Sequence, residues 1–328
     1  MDNASLASEH DLAQSLLDIL ACPACHGPLQ LEAKGLSCAK PLCGGTADPW
    51  PVVNGIPILI DQNRSIFRIA DFESGPQTPK RPLWRQLLSR IWHFRPGLSR
   101  NIAANENYRH LQELLESAPE PRLLVLGCGE GGAGMDQLKG NSRISITGLD
   151  VRMTEKTSVI GDGMSLPFKD RVFDGVVVQG VLEHIFDPYQ VERQIYRVLK
   201  NRGLIYCELP FMQPNHGGAY DFIRFTQVGH RRFWRRFDEI DAGACCGPGM
   251  ALAHSFQQFF RALFPFRLWR VFSDWVLDWS LWWLKYFDLF LANTPAGLDG
   301  ASAFYFLGRK GTRFVIDRNL PQTYRGAQ

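Results

Sequence analysis

Short apolar runs separated by polar and glycine-rich stretches set the pattern of the middle of the chain. Leu123 to Leu126, Ile144 to Leu149, Val159-Ile160, Phe173 to Val178 and Leu204 to Leu209 predict buried strands, too short and too uniformly apolar to alternate with solvent. Between them, Glu106 to Ser117 predicts a helix before the first strand. Asp187-Pro188 predicts a cap and first-turn proline for a helix through Leu199. Two further stretches carry helical spacing of apolar residues. Lys80 to Arg100 sets Trp84, Leu87, Leu88, Ile91 and Trp92 among Arg81, Arg85, Arg90, Arg95 and Arg100. Phe256 to Leu291 crowds tryptophans and phenylalanines between Arg261, Arg267, Arg270, Asp274, Asp278, Lys285 and Asp288. Both read as amphipathic helices rather than bilayer spans.

The first strand ends in Gly127-Cys128-Gly129-Glu130-Gly131-Gly132, and the second ends in Asp150. Glycines let a backbone turn sharply and approach a ligand, and an acid at the next strand end can accept from both hydroxyls of a ribose. Alone, the pattern also fits a plain strand-to-helix turn. The following residues, Gly161-Asp-Gly-Met-Ser-Leu-Pro-Phe168 with Phe173-Asp-Gly-Val176 and Arg197-Val-Leu-Lys-Asn-Arg-Gly203, make residues 123–211 resemble the class I S-adenosylmethionine-dependent methyltransferases of type 11. The resemblance implies an α/β fold with a Rossmann-like, seven-stranded sheet whose last, antiparallel edge strand is Ala303 to Lys310. It implies S-adenosylmethionine as cofactor, with Gly127, Cys128, Gly129 and Gly131 along the methionine part and Asp150 at the ribose. Asp162, Gly163 and Met164 would meet the adenine, and Gln179 would face the methionine part and the acceptor. Only about a dozen residues separate Asp150 from Asp162, where the family has a full helix. The adenine side is therefore expected to be either open or closed by another segment. Asn201 stands at the usual proline position, with Gly203 expected to permit the turn into the next strand.

Eight cysteines fall into two groups. Cys22, Cys25, Cys38 and Cys43 run as C-x2-C and C-x4-C, the spacing of a zinc ribbon in which four thiolates hold one structural ion. A degenerate ribbon without metal, or His26 replacing one sulfur, fits the spacing as well. Cys128, Cys207 and the pair Cys245-Cys246, the last two expected in a glycine-rich turn, read as small buried hydrophobes. Leu17-Asp-Ile-Leu-Ala-Cys-Pro-Ala-Cys-His-Gly-Pro-Leu29 with Trp50-Pro-Val-Val-Asn-Gly-Ile-Pro57 is similar to the small Trm112-like domains, which implies a module that binds a methyltransferase or is fused to one.

After the fifth strand, Phe211-Met-Gln-Pro-Asn-His-Gly-Gly-Ala-Tyr-Asp-Phe-Ile-Arg224 gathers hydrogen-bonding groups in a loop at the carboxyl edge of the sheet, where open α/β folds hold their ligands. It resembles a signature of bacterial methyltransferases associated with cell-surface glycan or lipid-linked pathways. His216, whose imidazole titrates near neutrality, is the first choice for a catalytic base. Asp221 is the second, and Tyr220 and Arg224 are the substrate contacts. His216 capping the loop and Asp221 pairing with Arg224 is the bland alternative. Glu183 and His184, at the start of the next helix, read as structural.

The expected division is 11–62 for the ribbon module, 63–105 for a linker and basic amphipathic helix, and 106–212 for the cofactor-binding core. Residues 213–298 then form a substrate loop and aromatic helical cap, and 299–318 the last core strand. A net charge of +3 is too small to argue for nucleic acid. Residues 1–20 lack the apolar core of a secretory signal, and no segment reaches eighteen uncharged apolar residues. The expectation is a cytoplasmic enzyme, peripheral at the inner face of the membrane, that methylates a small or lipid-linked acceptor such as a sugar hydroxyl. An rRNA base methyltransferase and a catalytically idle scaffold are the alternatives.

Overall fold

A computed structural model describes residues 12–40, 43–45, 48–73, 95–129, 131–263 and 266–328. Most of the basic amphipathic stretch expected at 80–100 lies outside these residues.

The N-terminal module opens with a single helical turn, α1 (Gln14–Leu17), and a hairpin of β1 (Leu29–Glu32) and β2 (Gly35–Cys38). It continues into β3 (Val52–Val53) and β4 (Ile56–Leu59), joined by a turn in which Asn54 and Gly55 both have positive φ. A short helix, α2 (Ala70–Glu73), follows. The core strands are β5 (Arg122–Leu126), β6 (Ser145–Asp150), β7 (Val159–Gly161), β8 (Phe173–Gln179), β9 (Leu199–Pro210), β10 (Phe237–Cys246) and β11 (Ala303–Lys310). They form one sheet in the order β10-β11-β9-β8-β5-β6-β7-β4-β3. The strands from β9 to β4 are mutually parallel, and β11 is antiparallel to both neighbours. The expected seven-stranded core is present and the module lengthens it to nine. Ile58 pairs with Ile160, and Leu59 with Gly161, in parallel register.

This junction is apolar throughout. Leu20, Trp50, Ile58 and Ile60 of the module share one buried cluster with Leu149, Ile160, Phe168 and Phe173 of the core. The Trp50 indole donates to the Ile60 carbonyl at 3.1 Å, which satisfies the one polar atom of a side chain that is 1% exposed.

The helices are α3 (Ala104–Leu115), α4 (Asp136–Lys139), α5 (Pro188–Val198), α6 (Gln227–Phe233), α7 (Pro248–Leu263), α8 (Arg267–Leu281), α9 (Leu284–Leu291) and α10 (Pro295–Asp299). Asp187 caps α5, accepting from the Gln190 N–H at 3.1 Å, with Pro188 in the first turn as expected. α3 lays Tyr108, Leu111 and Leu115 under the sheet.

Four local expectations change. β11, expected at the edge of the sheet, lies between β9 and β10, and β10 takes the edge. The left-handed residue before the inner part of β9 is Arg202, at φ 61°. Gly203 is required for another reason, since a Cβ there would come within 3.0 Å of Leu199 and 3.1 Å of the Lys200 carbonyl. Cys245 and Cys246 end a strand, β10, rather than a glycine-rich turn. The stretch 213–298 is therefore not all loop and cap: α6 and β10 belong to the core, and the cap is α7 to α10, inserted between β10 and β11.

Candidate functional site

Strand order reverses beside β5, with β6 on one side and β8 on the other, so the loops leaving their carboxyl ends diverge and open a cleft. The first loop is built by its glycines. Gly127 has φ 68°, and a Cβ there would lie 2.3 Å from Val181 Cγ2. Its N–H donates to the Leu149 carbonyl at 2.8 Å, which ties the loop to the end of β6. Asp150 then fastens both sides of the cleft: its Oδ2 accepts from the Gly129 N–H and its Oδ1 from the Arg152 N–H, each at 2.8 Å. The carboxylate is almost wholly buried, yet it borders the cleft, whose volume is about 320 Å³.

The far wall comes from β7 and from the N-terminal module. Asp162 accepts from the Met164 N–H at 2.9 Å and from the Ser65 hydroxyl at 2.6 Å. Ile66 and Phe67, next to Ser65, line the cleft together with Gly163 and Met164. The helix that the chain lacks between β6 and β7 is thus replaced by residues some hundred positions earlier, delivered by the β4–β7 pairing. Of the two expectations for this side, closure by another segment is the one observed.

Not every expected cofactor residue borders that cleft. Gly127, Asp150, Asp162, Gly163 and Met164 do. Cys128 turns inward, with its thiol 3.8 Å from the Thr157 hydroxyl, and burial pushes that thiol up. Gly131, at φ 75°, lies under Lys156, whose Nζ a Cβ would approach to 2.5 Å. Gln179 lies beneath the glycine loop. It donates to the Ala133 carbonyl at 3.1 Å and to Glu208 at 2.8 Å, and accepts from the Tyr108 hydroxyl at 3.0 Å. Glu208 also accepts from Asn101, at 2.8 Å, and from Tyr206. Burial raises the Glu208 carboxyl, an effect opposed by these donors. This buried network stiffens the floor of the loop. Its one sequence signal was an acid inside the apolar run 204–209.

The loop 211–224 folds back over the mouth of the cleft. Asp221 pairs with Arg224, at 2.7 Å through Nη2 and through a second contact to Nη1. Arg224 also donates to the Gln213 and Pro214 carbonyls, each at 3.4 Å. The guanidinium beside it holds the Asp221 carboxyl far below the usual carboxylate range. Arg224 and Asp221 therefore spend their polar groups on the loop itself, leaving Asp221 a weak base.

His216 is differently placed. Its Nδ1 is 3.3 Å from the Pro214 carbonyl and 3.7 Å from Asp221 Oδ2, and its Nε2 is 3.5 Å from Glu183 Oε1, so a proton gained on Nε2 can be donated to Glu183. Glu183 is 1% exposed and its Oε2 has no partner. The His216 imidazole is consequently pushed up, first by Glu183, against the opposing effect of burial. His184 packs edge-to-face on His216 at 5.0 Å and is anchored through Nδ1 to the Tyr220 carbonyl at 2.8 Å. Glu183 and His184 thus belong to the site rather than only to the helix start. Exposed Phe186, Tyr220 and Phe222 form the rim.

The cysteine cluster is a separate site. The four sulfurs lie within 4.8 Å of one another, with Cys22–Cys43 at 3.7 Å and Cys25–Cys38 at 3.6 Å. Tetrahedral zinc with bonds of about 2.3 Å sets sulfurs roughly 3.8 Å apart. The Gly27 and Lys40 N–H groups point at Cys25 and Cys38, both at 3.4 Å. This donor set fits zinc, and His26 is not part of it.

Residues 124–207 match the methyltransferase domain family, and residues 14–44 match the Trm112p-like protein family. Among curated proteins, the chain is 27% identical over 155 residues to the demethylmenaquinone methyltransferase of Symbiobacterium thermophilum, covering 47% of this chain and 56% of that protein. It is 32% identical over 135 residues to the corresponding protein of Thermotoga maritima, covering 37% and 58%. The 24-methylenesterol C-methyltransferase 2 of Oryza sativa is 28% identical over 132 residues, covering 34% and 36%. The chain thus spans little more than half the length of the first two. Among solved structures, the complex between the Haloferax volcanii Trm112 methyltransferase activator and a methyltransferase aligns at 17% identity with TM-score 0.41, covering 69% of this chain and 93% of that one.

Proposed function

From its place among the class I S-adenosylmethionine-dependent methyltransferases, with a Trm112-like module at the N-terminus, we infer that this chain transfers a methyl group from that cofactor to a lipid-linked acceptor, a sugar hydroxyl being the acceptor group. The observation that carries the reading is Asp150. One buried carboxylate braces the glycine turn through Gly129 and still borders the cleft, where a ribose diol would find its acceptor.

The cofactor would supply a methyl already activated by its sulfonium, so the protein has mainly to orient the acceptor, exclude water and dispose of one proton. Gly127 lets the backbone come close to the cofactor's amino-acid part, with Gly129 and Gly131 shaping the same turn. Asp162, Gly163 and Met164, which border the cleft together with Ile66 and Phe67, would hold the adenine. His216 takes the acceptor proton on Nε2, and Glu183 stabilises the resulting cation. Asp221 and Arg224 hold the loop that carries His216, and Tyr220 meets the acceptor at the rim. The aromatic rim favours an amphiphilic acceptor, and relatives named for menaquinone and sterol methylation support that class. The four cysteines would hold a structural zinc ion that stiffens the module. The protein would work in the cytoplasm, at the inner face of the membrane.

Incubation with methyl-labelled cofactor and fractionated cell extract tests the acceptor. Label in the organic-phase glycolipid fraction is expected. Label in RNA, with binding that weakens steeply with salt, would establish the nucleic-acid alternative instead, and no cofactor binding at all would leave a scaffold.

A further inference from the structure

The cap is built inside out. In a water-facing helical hairpin the apolar stripe turns inward and the charges outward. Here Gln257 and Arg261 of α7 and the three acids of α8 and α9 turn inward. Arg261 of α7 makes a two-pronged pair with Asp274 of α8, at 2.8 and 2.9 Å. Gln257 donates to Asp278 at 3.1 Å, and Arg95 reaches the same carboxylate at 3.1 Å. Asp288 of α9, 1% exposed, accepts the Gly249 and Met250 N–H groups at 2.6 and 3.0 Å. The aromatic residues take the outside: Leu268 is 85% exposed, Phe290 78% and Phe272 56%. All five tryptophans from Trp269 to Trp283 are between 38% and 51% exposed. Among the described residues, no helix is long and apolar enough to cross a membrane.

Charge identifies the occupant. Asp274, Asp278 and Asp288 are the only acids between residues 256 and 291, and all three are turned inward. The outer face is left with aromatic and aliphatic residues and bears no carboxylate to oppose an anionic layer, while exposed Arg270, one turn before Asp274, stands at its edge. Tryptophan beside arginine suits the headgroup boundary of a bilayer. At that edge the cap adjoins the acceptor loop: Asn215 lines one cleft with Arg261, Arg270 and Asp274.

We propose that the outer face of α8 and α9 docks flat on an anionic lipid surface and brings the mouth of the cleft to the bilayer. The inference rests on the lipid-linked acceptor only for its purpose; docking itself needs neither cofactor nor chemistry.

The test is flotation of the full-length protein with phosphatidylcholine vesicles, with and without 30% phosphatidylglycerol. Binding at least tenfold tighter to the anionic vesicles is expected, weakened at high salt. Brominated acyl chains should quench more than a third of the wild-type tryptophan fluorescence, since five of the nine tryptophans lie on this face. That readout needs no variant. The double variant Trp269→Ser, Phe290→Ser should lose vesicle binding tenfold while keeping cofactor affinity, whereas Asp150→Ala should do the reverse. Three results would overturn the proposal: no vesicle binding by a monomer, which leaves residues 74–94 as the cover; a concentration-dependent dimer abolished by the same double variant, which makes a second copy the occupant; and equal binding of both vesicle types. Vesicle binding without methyl transfer to any lipid would instead fault the proposed acceptor.

Discussion

Asp150→Ala should separate loss of the cofactor from loss of the fold. The carboxylate accepts two backbone N–H groups in the free protein, from Gly129 and Arg152. Shortening the side chain would extend the cleft that Asp150 borders toward these groups and let water enter in place of the lost oxygens. Hydrogen bonds to a charged group contribute about 1.5–3 kcal/mol each, and solvent replacement brings the cost in the free protein to the low end, roughly 1–3 kcal/mol in all. In the complex the same residue would also accept from two ribose hydroxyls. Losing those two charge-assisted bonds costs roughly 3–6 kcal/mol, or about two to four decades in Kd. Isothermal titration with S-adenosylmethionine and with S-adenosylhomocysteine, beside urea unfolding of both proteins, measures the two quantities. Asp150→Asn is the companion variant: it keeps the shape but turns one acceptor into a donor facing an N–H, so it should also bind weakly. A Kd within threefold of wild type for Asp150→Ala, in a protein that remains folded, would refute the ribose assignment and with it the reading of the cleft.

His216→Ala should slow turnover at least tenfold with cofactor affinity unchanged; single-turnover kinetics measure this, and unchanged turnover removes His216 as base. The groups facing that imidazole are Glu183, His184, Asp221 and, from α7, His254. Because Glu183 raises its affinity for a proton, the neutral base prevails only above a midpoint higher than 6.5. Activity should therefore fall as pH drops through that midpoint, and Glu183→Gln should move the midpoint down. By linkage, the protonated ion pair adds stability below the unfolded-state pKa, and the gain is lost as pH rises through the folded value. Zinc should be present at about one equivalent by elemental analysis, and chelation should lower both the unfolding midpoint and cofactor affinity, since the metal-held module carries Ser65 and Phe67 to the cleft; less than a tenth of an equivalent would contradict a four-thiolate site. Asp288→Ala leaves two N–H groups at the start of α7 unpaired and should cost roughly 2–4 kcal/mol, seen as faster hydrogen exchange of the Met250 amide.

The glycine turn, Asp150 and the strand order around them were legible because each depends on local chemistry: a positive φ, a strand end, an apolar run. The closure of the adenine side was not. Ser65 and Phe67 read as linker, and only the pairing of β4 with β7 gives them a role. β10 was hidden because Asp238, Glu239 and Asp241 break its apolar run, as an antiparallel strand near the sheet edge allows. Glu183 passed for a helix-start residue, since its relation to His216 is set by a loop more than thirty residues later. The cap's helical spacing was clear in the sequence, but spacing cannot tell which stripe faces out when acids and arginines can satisfy one another inside.

The pairing of Ile58 with Ile160 also orders events during synthesis. The module leaves the ribosome first, yet the strand it must lie against follows about a hundred residues later, a wait of roughly 5–20 seconds at ordinary elongation rates. For that interval β4 is a bare edge, open to mispairing with any neighbouring nascent chain. Early capture of an ion by the cysteines would keep the module compact until its docking strand arrives, which makes metal supply a determinant of yield as well as of cofactor binding.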